Sequence, residues 1–314
     1  MDFVKLLQNE MIKIYTRPRT WIFLLFVVFI IAATAFINKE ISEDFPEGEW
    51  KQSVQSQIDS NQQKIENGGA TPQLQQETRK LTYYLNNDIS PYPRESWMLV
   101  KNAVNQITPL IVLFAVIIAG DIVASEFAWG SIKMLMIRPY PRWSFLLAKY
   151  ITSVLFAVGL ILFMLIVAWI FGSIIFGAGG MSHPILSFTE EGKMVSQSTL
   201  SYTLKAAGLQ MITILLFITI AFMISTLFKS NILAIGISVF LWFSMGVLGS
   251  ILANFTWAKY LLFTNLNLTY YLQSPEGLMP GMSLPFSLIV NMIYWLLFLL
   301  ITWVVFQKRD INTT

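Results

Sequence analysis

The chain has 314 residues and a formal net charge of +3; it is 55% hydrophobic and only 12% charged, about half the charged share of a soluble domain. Mean hydropathy is +0.60, and a soluble core does not need the long uninterrupted apolar runs found here, which excludes a water-soluble fold. With no cysteine and a single histidine, the composition also argues against disulfide staples and against cysteine- or histidine-based metal chemistry.

In chain order, residues 2–16 place Phe3, Leu6, Leu7, Met11 and Ile14 on one side, with Lys5, Asn9 and Lys13 on other faces. That spacing predicts an amphipathic helix lying in the membrane interface before the chain turns at Arg17-Pro18-Arg19. The first apolar run ends at Asn38-Lys39-Glu40 rather than at a small-residue cleavage site, so it does not read as a secretory signal. Six runs approach or meet the ~20 apolar residues of a spanning helix: 21–37, 107–123, 151–176, 209–228, 232–253 and 286–306. The first is short and its flanking arginines can snorkel; the third must tilt or project.

Between the first two runs, residues 38–103 are polar. Two glutamine- and lysine-rich stretches, 49–67 and 72–87, flank Gly68-Gly69-Ala70-Thr71 and carry the stripes Trp50, Val54, Ile58, Ile65 and Leu74, Leu81, Tyr84, Leu85. They predict a helical hairpin, with Pro72 suited to a first turn. Residues 178–203 read as a loop containing His183. Residues 254–285 are too greasy for a free loop, and Pro275, Gly277, Pro280 and Gly281 break them, so short helices dipping into the interface are expected. Lys229-Ser230-Asn231 reads as a tight turn that makes the fourth and fifth spans antiparallel neighbours.

Lysine and arginine set the expected orientation. With both termini cytoplasmic, segments 1–20, 125–149, 229–231 and 307–314 hold eleven basic residues against four acidic ones. The opposite side holds ten basic and thirteen acidic residues, and Asp121 lies within a run. The excess sits in short loops, where the positive-inside bias acts. A pI of 8.9 therefore reflects topology and gives no case for nucleic-acid binding.

The stretch from Ser125 to Lys149 is a basic, proline-punctuated island between two apolar runs. Phe127, Ile132, Leu135 and Met136 can share a helical side, and Arg138-Pro139-Tyr140-Pro141-Arg142 stops the helix. The pattern Asp121, Glu126-Phe127-Ala128-Trp129-Gly130-Ser131-Ile132-Lys133, Arg138-Pro139, Arg142 and Lys149 resembles the segment after the second span of type-2 ABC exporter permeases. Ser131 stands where threonine is commoner. The resemblance extends over nearly the whole chain, including the leading interfacial helix, the six spans and the broken segment before the last one. It implies an all-α polytopic fold divided into 1–37, 38–103 and 104–314, with a coupling helix at 126–136. It implies a non-catalytic subunit that dimerises with a second copy or a paralogue, docks on ABC ATPase subunits that bind the ATP and Mg, and exports an amphiphile. Glu126, Phe127, Trp129, Gly130, Ser131, Lys133, Leu135, Arg138, Pro139 and Arg142 would then contact the ATPase. A bacterial plasma membrane and its lipids would be the setting.

The residues themselves carry no enzymatic signal. No Gly-x-x-x-x-Gly-Lys-Ser/Thr loop occurs, Gly192-Lys193 lacks the rest of it, and no Ser–His or Cys–His pair is available within the runs. Asp121 is costly near a bilayer; with Glu126, it is expected to cap the coupling helix and pair with Lys133, Arg138 or Lys149, a direct proton or cation role being the other reading. Ser173, Gly177, Gly236, Ser238, Gly246, Gly249 and Ser250 suit close helix contact. A membrane sensor or assembly protein that uses the hairpin without an ATPase is the alternative class. The orientation can be read directly, because there is no cysteine background. Cysteines at Ser60 or Ser196 should react with impermeant maleimide in whole cells, and cysteines at Ser131 or Thr313 should not; the reverse pattern would reverse the topology.

Overall fold

The computed structural model describes residues 3–43, 50–69, 71–130, 141–188, 193–252, 255–273, 277 and 279–308. Its helices are α1 (Phe3–Tyr15), α2 (Pro18–Glu43), α3 (Trp50–Lys64), α4 (Pro72–Asn86), α5 (Ser96–Ala128), α6 (Arg142–Phe176), α7 (Thr199–Phe228), α8 (Asn231–Leu252) and α9 (Leu284–Lys308). Strands β1 (Pro184–Phe188) and β2 (Met194–Ser198) form one antiparallel pair. Six helices, α2 and α5 to α9, are long and apolar enough to cross a bilayer. The protein is an all-α polytopic membrane protein.

Burial grades the spanning helices, with α6 intermediate at 39%. The apolar stretches of α5 and α7 are 78% and 67% buried, whereas those of α2, α8 and α9 are 22% or less. The first two are therefore enclosed by protein, and the last three present apolar side chains such as Leu25, Phe243 and Leu300 outward, as a lipid-facing surface does.

The chain forms two compact units. The first comprises Met1–Val28, Val104–Met164 and Lys205–Thr314. Within it, Phe23 of α2 stacks on Phe114 of α5 with centroids 4.1 Å apart. Gly120 lets α8 approach α5: a Cβ there would lie 3.1 Å from the Ala234 Cβ. The Tyr150 hydroxyl joins three helices, 2.8 Å from the Thr219 hydroxyl and accepting the Trp295 indole N–H at 2.8 Å.

Three 3₁₀ turns (Thr256–Tyr260, Leu262–Thr264 and Leu268–Leu272) take the place of the short helices expected between the last two spans. Such turns leave carbonyls unpaired, and buried polar side chains supply the donors. Asn265 Nδ2 donates to the Lys259 and Leu261 carbonyls at 2.7 Å each, while its Oδ1 accepts from Ser287 at 2.7 Å. Because the Ser287 proton is used there, Tyr271 donates to Ser287. Asn291, one turn further along α9, donates to the Asn265 carbonyl at 2.8 Å.

The second unit comprises Phe29–Ala103 and Leu165–Leu204. The expected helical hairpin is present as α3 and α4, closed over Val54, Ile58 and Leu81 with Trp50 and Leu85 against them. Gly68 makes the bend at φ +85°, and the Thr71 hydroxyl caps α4 by accepting the Leu74 N–H. Tyr84 hooks this hairpin to β1, donating to the Pro184 carbonyl at 3.2 Å and accepting the Leu186 N–H at 3.3 Å.

Several expected boundaries move. The segment 178–203 is not simply a loop but holds β1, β2 and the start of α7. Helix α2 continues past residue 37 to Glu43, and α5 begins at Ser96 rather than beyond 103. Hydropathy sees only the apolar middle of a helix, whereas helix-forming polar residues extend both ends. Within this unit α5 starts on a knot: Ser96 Oγ donates to the Gly179 carbonyl at 2.9 Å and accepts its N–H at 3.2 Å.

Gly172 makes a close approach possible at the same place, since a Cβ there would lie 2.9 Å from the Cα of Ser96. Backbone cannot yield as a flexible side chain does, so Gly172→Val should lower stability by about 1–3 kcal/mol in thermal unfolding in detergent. Gly159→Ala, whose new Cβ would meet only the Tyr15 hydroxyl at 3.6 Å, should stay within about 0.5 kcal/mol. Equal effects would refute the packing argument.

Candidate functional site

Helix α1 buries Leu6, Glu10 and Ile14, a stripe of period four. Leu6 packs with Phe145 and Ala148 of α6, so one face of the amphipathic helix rests on protein. Val4 and Ile12 remain exposed on others. The stripe brings Glu10, 2% exposed, against the first turns of α6. A carboxylate so buried needs cations.

Two cations answer it. Lys149 of α6 reaches Glu10 at 2.7 Å and Glu126 of α5 at 2.9 Å. Lys13, one turn along α1, reaches the same two carboxylates at 2.8 and 3.0 Å. Two acids and two ammonium groups thus alternate around a ring that ties α1, α5 and α6 together. Burial alone would depress the Lys13 ammonium, but Glu10 and then Glu126 outweigh it and hold its pKa above the usual lysine value.

Further along α5, Asp121 forms a second knot. Its Oδ2 accepts from Arg17 and, at 2.6 Å, from Arg19, while Oδ1 accepts from Asn231 at 3.3 Å. Arg17 belongs to the short turn between α1 and α2, Arg19 to the first turn of α2, and Asn231 opens α8. The turn is itself fastened: Thr20 donates to the Ile14 carbonyl at 2.6 Å and Trp21 to the Tyr15 carbonyl at 3.0 Å. Beside it, the Ser225 hydroxyl of α7 accepts the Ala124 N–H at 3.0 Å. Six helices (α1, α2, α5, α6, α7 and α8) and a turn therefore meet at one set of charged and polar groups.

Of the residues singled out from the sequence, Glu126, Asp121 and Lys149 are in this cluster. Glu126 and Phe127 do not open a separate helix at 126–136; they lie in the last turn of α5, which runs to Ala128. Glu126 is therefore not the first residue of a helix; it closes the ring with Lys13 and with Lys149, one of the partners expected for it. Trp129 is 72% exposed, Gly130 has φ +67°, and Arg142 begins α6. Ser131, Lys133, Leu135, Arg138 and Pro139 lie outside the described residues. The guanidinium of Arg17 sits 5.1 Å from the Trp129 ring, and the Lys229 ammonium 5.2 Å from that of Phe127, both cation–π contacts.

Sequence reading missed Glu10, Lys13, Arg17, Arg19 and Asn231 as partners. The available signal was the acid inside an apolar run, which demands a cation, together with two arginines at the start of the first span. His183, read as an exposed loop residue, is half-buried, and burial pushes its pKa down, with Glu95 pulling it up and Lys101 pushing it further down. Among the described residues no group of three metal-binding side chains occurs.

The fold and the cluster define a six-span membrane protein whose spans are knotted together at one end. The chain belongs to the family described as "Protein of unknown function (DUF2705)", which matches residues 73–312. It is 35% identical to "Uncharacterized protein YhcI" of Bacillus subtilis (strain 168), over 98% of this chain and 99% of that protein. It is also 30% identical to "Uncharacterized membrane protein YdbK" of the same organism, over 65% of this chain and 78% of that protein.

The side chains of Lys149 and Glu10 are only 7% and 3% exposed, so removing one partner strands a buried charge. Lys149→Met should cost about 3–5 kcal/mol in unfolding measured in detergent. Lys13, with a side chain 38% exposed, is screened by solvent, and Lys13→Met should cost no more than about 1 kcal/mol. Adding Glu10→Gln to Lys149→Met should restore part of the loss, because it removes one stranded carboxylate. Additive losses would show that the two residues are not coupled.

Proposed function

We propose that this chain is the membrane-spanning permease subunit of an ATP-driven exporter of the type-2 ABC class. It works as a pair with a second copy or a paralogue, couples to separate ATPase subunits that bind ATP and Mg, and moves an amphiphile out through a bacterial plasma membrane. It performs no chemistry itself. Both termini lie on the cytoplasmic side, together with the charged cluster.

The observation that supports this most is the mechanical arrangement around the end of α5. A transport subunit driven from outside the bilayer needs a rigid connection between its docking segment and its spans. Here α5 is a continuous helix ending at Ala128, next to the exposed Trp129, and the ion-paired ring fastens its last turn to α1 and α6. The next residues belong to the stretch that resembles the coupling segment. A push on that stretch would move α5 and α6 together rather than bend either one. The Gly130 backbone, with φ in the left-handed region, ends the helix where a docking segment would begin.

The tagged chain purified in mild detergent should carry a nucleotide-binding subunit in equal proportion, with ATPase activity, at a mass above that of a 35.8 kDa monomer. Trp129 is the contact to remove, because Glu126 also holds the fold together. Trp129→Ala should lose the ATPase partner and transport while keeping its unfolding temperature. Gln62→Ala on the exposed part of α3 should change neither. A chain that purifies without a nucleotide-binding partner, as an active monomer, would defeat the proposal and favour a sensor or assembly role.

A further inference from the structure

The two halves of the charged cluster differ in balance. The ring of Glu10, Glu126, Lys13 and Lys149 is neutral, with two charges of each sign. The second knot is not, because Arg17 and Arg19 share one carboxylate and both use its Oδ2. Their second terminal nitrogens have no acceptor among the described residues, while the Arg19 Nε is buried without a partner. The knot therefore keeps one positive charge and unused donors, on side chains that are 26% and 31% exposed.

The surroundings say what kind of anion would complete it. Tyr15 and Trp21 flank the arginines and are 37% and 57% exposed, an aromatic pair of the type found at the headgroup level. One turn further along α2, Ile22 and Leu25 are 61% and 69% exposed and Phe26 is 45% exposed. These side chains form an apolar track that starts beside the guanidinium groups and runs into the spanning helix. A free inorganic anion has no use for that track, whereas a lipid whose phosphate sits between the arginines would lay its acyl chain along it. Guanidinium groups suit phosphate because they offer paired donors in a fixed plane.

We propose that Arg17 and Arg19, with the adjoining face of α2, bind the phosphate of an anionic phospholipid in the leaflet that holds α1. The lipid supplies the missing negative charge and anchors the turn between α1 and α2, which the cluster joins to α5 and α8.

The full chain in detergent, titrated with phosphatidylglycerol, phosphatidylcholine or inorganic phosphate, tests this by native mass spectrometry and thermal shift. The wild type should retain one phosphatidylglycerol at lower lipid concentration than phosphatidylcholine, and it should be stabilised by that lipid more than by inorganic phosphate. Arg19→Gln, which leaves Arg17 on Asp121, should weaken phosphatidylglycerol retention about fivefold, the scale of one basic residue at an anionic surface. Arg19→Lys keeps the charge but not the planar fork and should lose less, and Lys64→Gln on α3 should lose nothing. Equal retention of the two lipids by the wild type would overturn the proposal, whatever the variants do. So would stabilisation by inorganic phosphate that matches phosphatidylglycerol, or an Arg19→Gln variant that retains the lipid like the wild type.

Discussion

Three carboxylates, Glu10, Asp121 and Glu126, are each no more than 8% exposed, and their desolvation organises the end of the molecule where they lie. An ionised carboxylate taken out of water loses several kcal/mol of solvation, recovered only when cations and donors stand at hydrogen-bonding distance. Only Glu10 has a cation on its own helix, Lys13 one turn along α1, and even it also takes Lys149 from α6; Asp121 and Glu126 draw theirs from other elements. The acids come from α1 and α5, and the cations from α1, the following turn, α2 and α6. Satisfying them requires those elements to arrive at one place. In a bilayer, where apolar helix faces have no preference between lipid and one another, such polar contacts can specify which helices meet and at what height.

The same accounting applies to irregular backbone. Residues 255–273 fold back among α8, α9 and their own 3₁₀ turns, where carbonyls have no regular partner. Asn265, Ser287 and Asn291, all at most 2% exposed, supply donors to that backbone or to one another, and Thr213 of α7 donates to the Leu266 carbonyl at 3.0 Å. Non-helical chain at membrane depth is tolerated where protein shelters it and feeds its hydrogen bonds. Phe255, Trp257 and Tyr260 of the segment are exposed, and the buried amides hold its inner side.

Much of the fold was legible in the sequence because its signal is local. Six apolar runs identify the spans, since length and hydropathy are properties of each segment alone. The stripes Val54, Ile58 and Leu81 identify the hairpin for the same reason, and Gly68 marks its bend. The helix ends were less legible: hydropathy stops where polar residues such as Lys101 and Asn102 continue the helix, so α5 begins before its apolar run. β1 and β2 went unread because Tyr84, a residue 100 positions from Pro184, supplies part of what fixes them.

The charged cluster was half legible, and the missing half is instructive. Asp121 and Glu126 stand out because acids in or beside an apolar run are expensive, and Lys149 follows as a partner because it is near in sequence. Glu10 is ordinary in an amphipathic helix, and nothing local distinguishes it from a solvated residue; its partner Lys149 is 139 positions away. Arg17 and Arg19 read as snorkelling flanks of the first span, a role that local sequence explains completely. Only when α1 packs its Leu6–Glu10–Ile14 face on α6, instead of laying it on lipid, do these residues turn toward the acids. The interfacial helix is therefore fastened to the spans through its charged residues, and Val4 and Ile12 are exposed on its other faces. An element held in this way is tied to α5 and α6 by ion pairs that cross between helices, whereas a helix held by lipid alone would be free to slide past them.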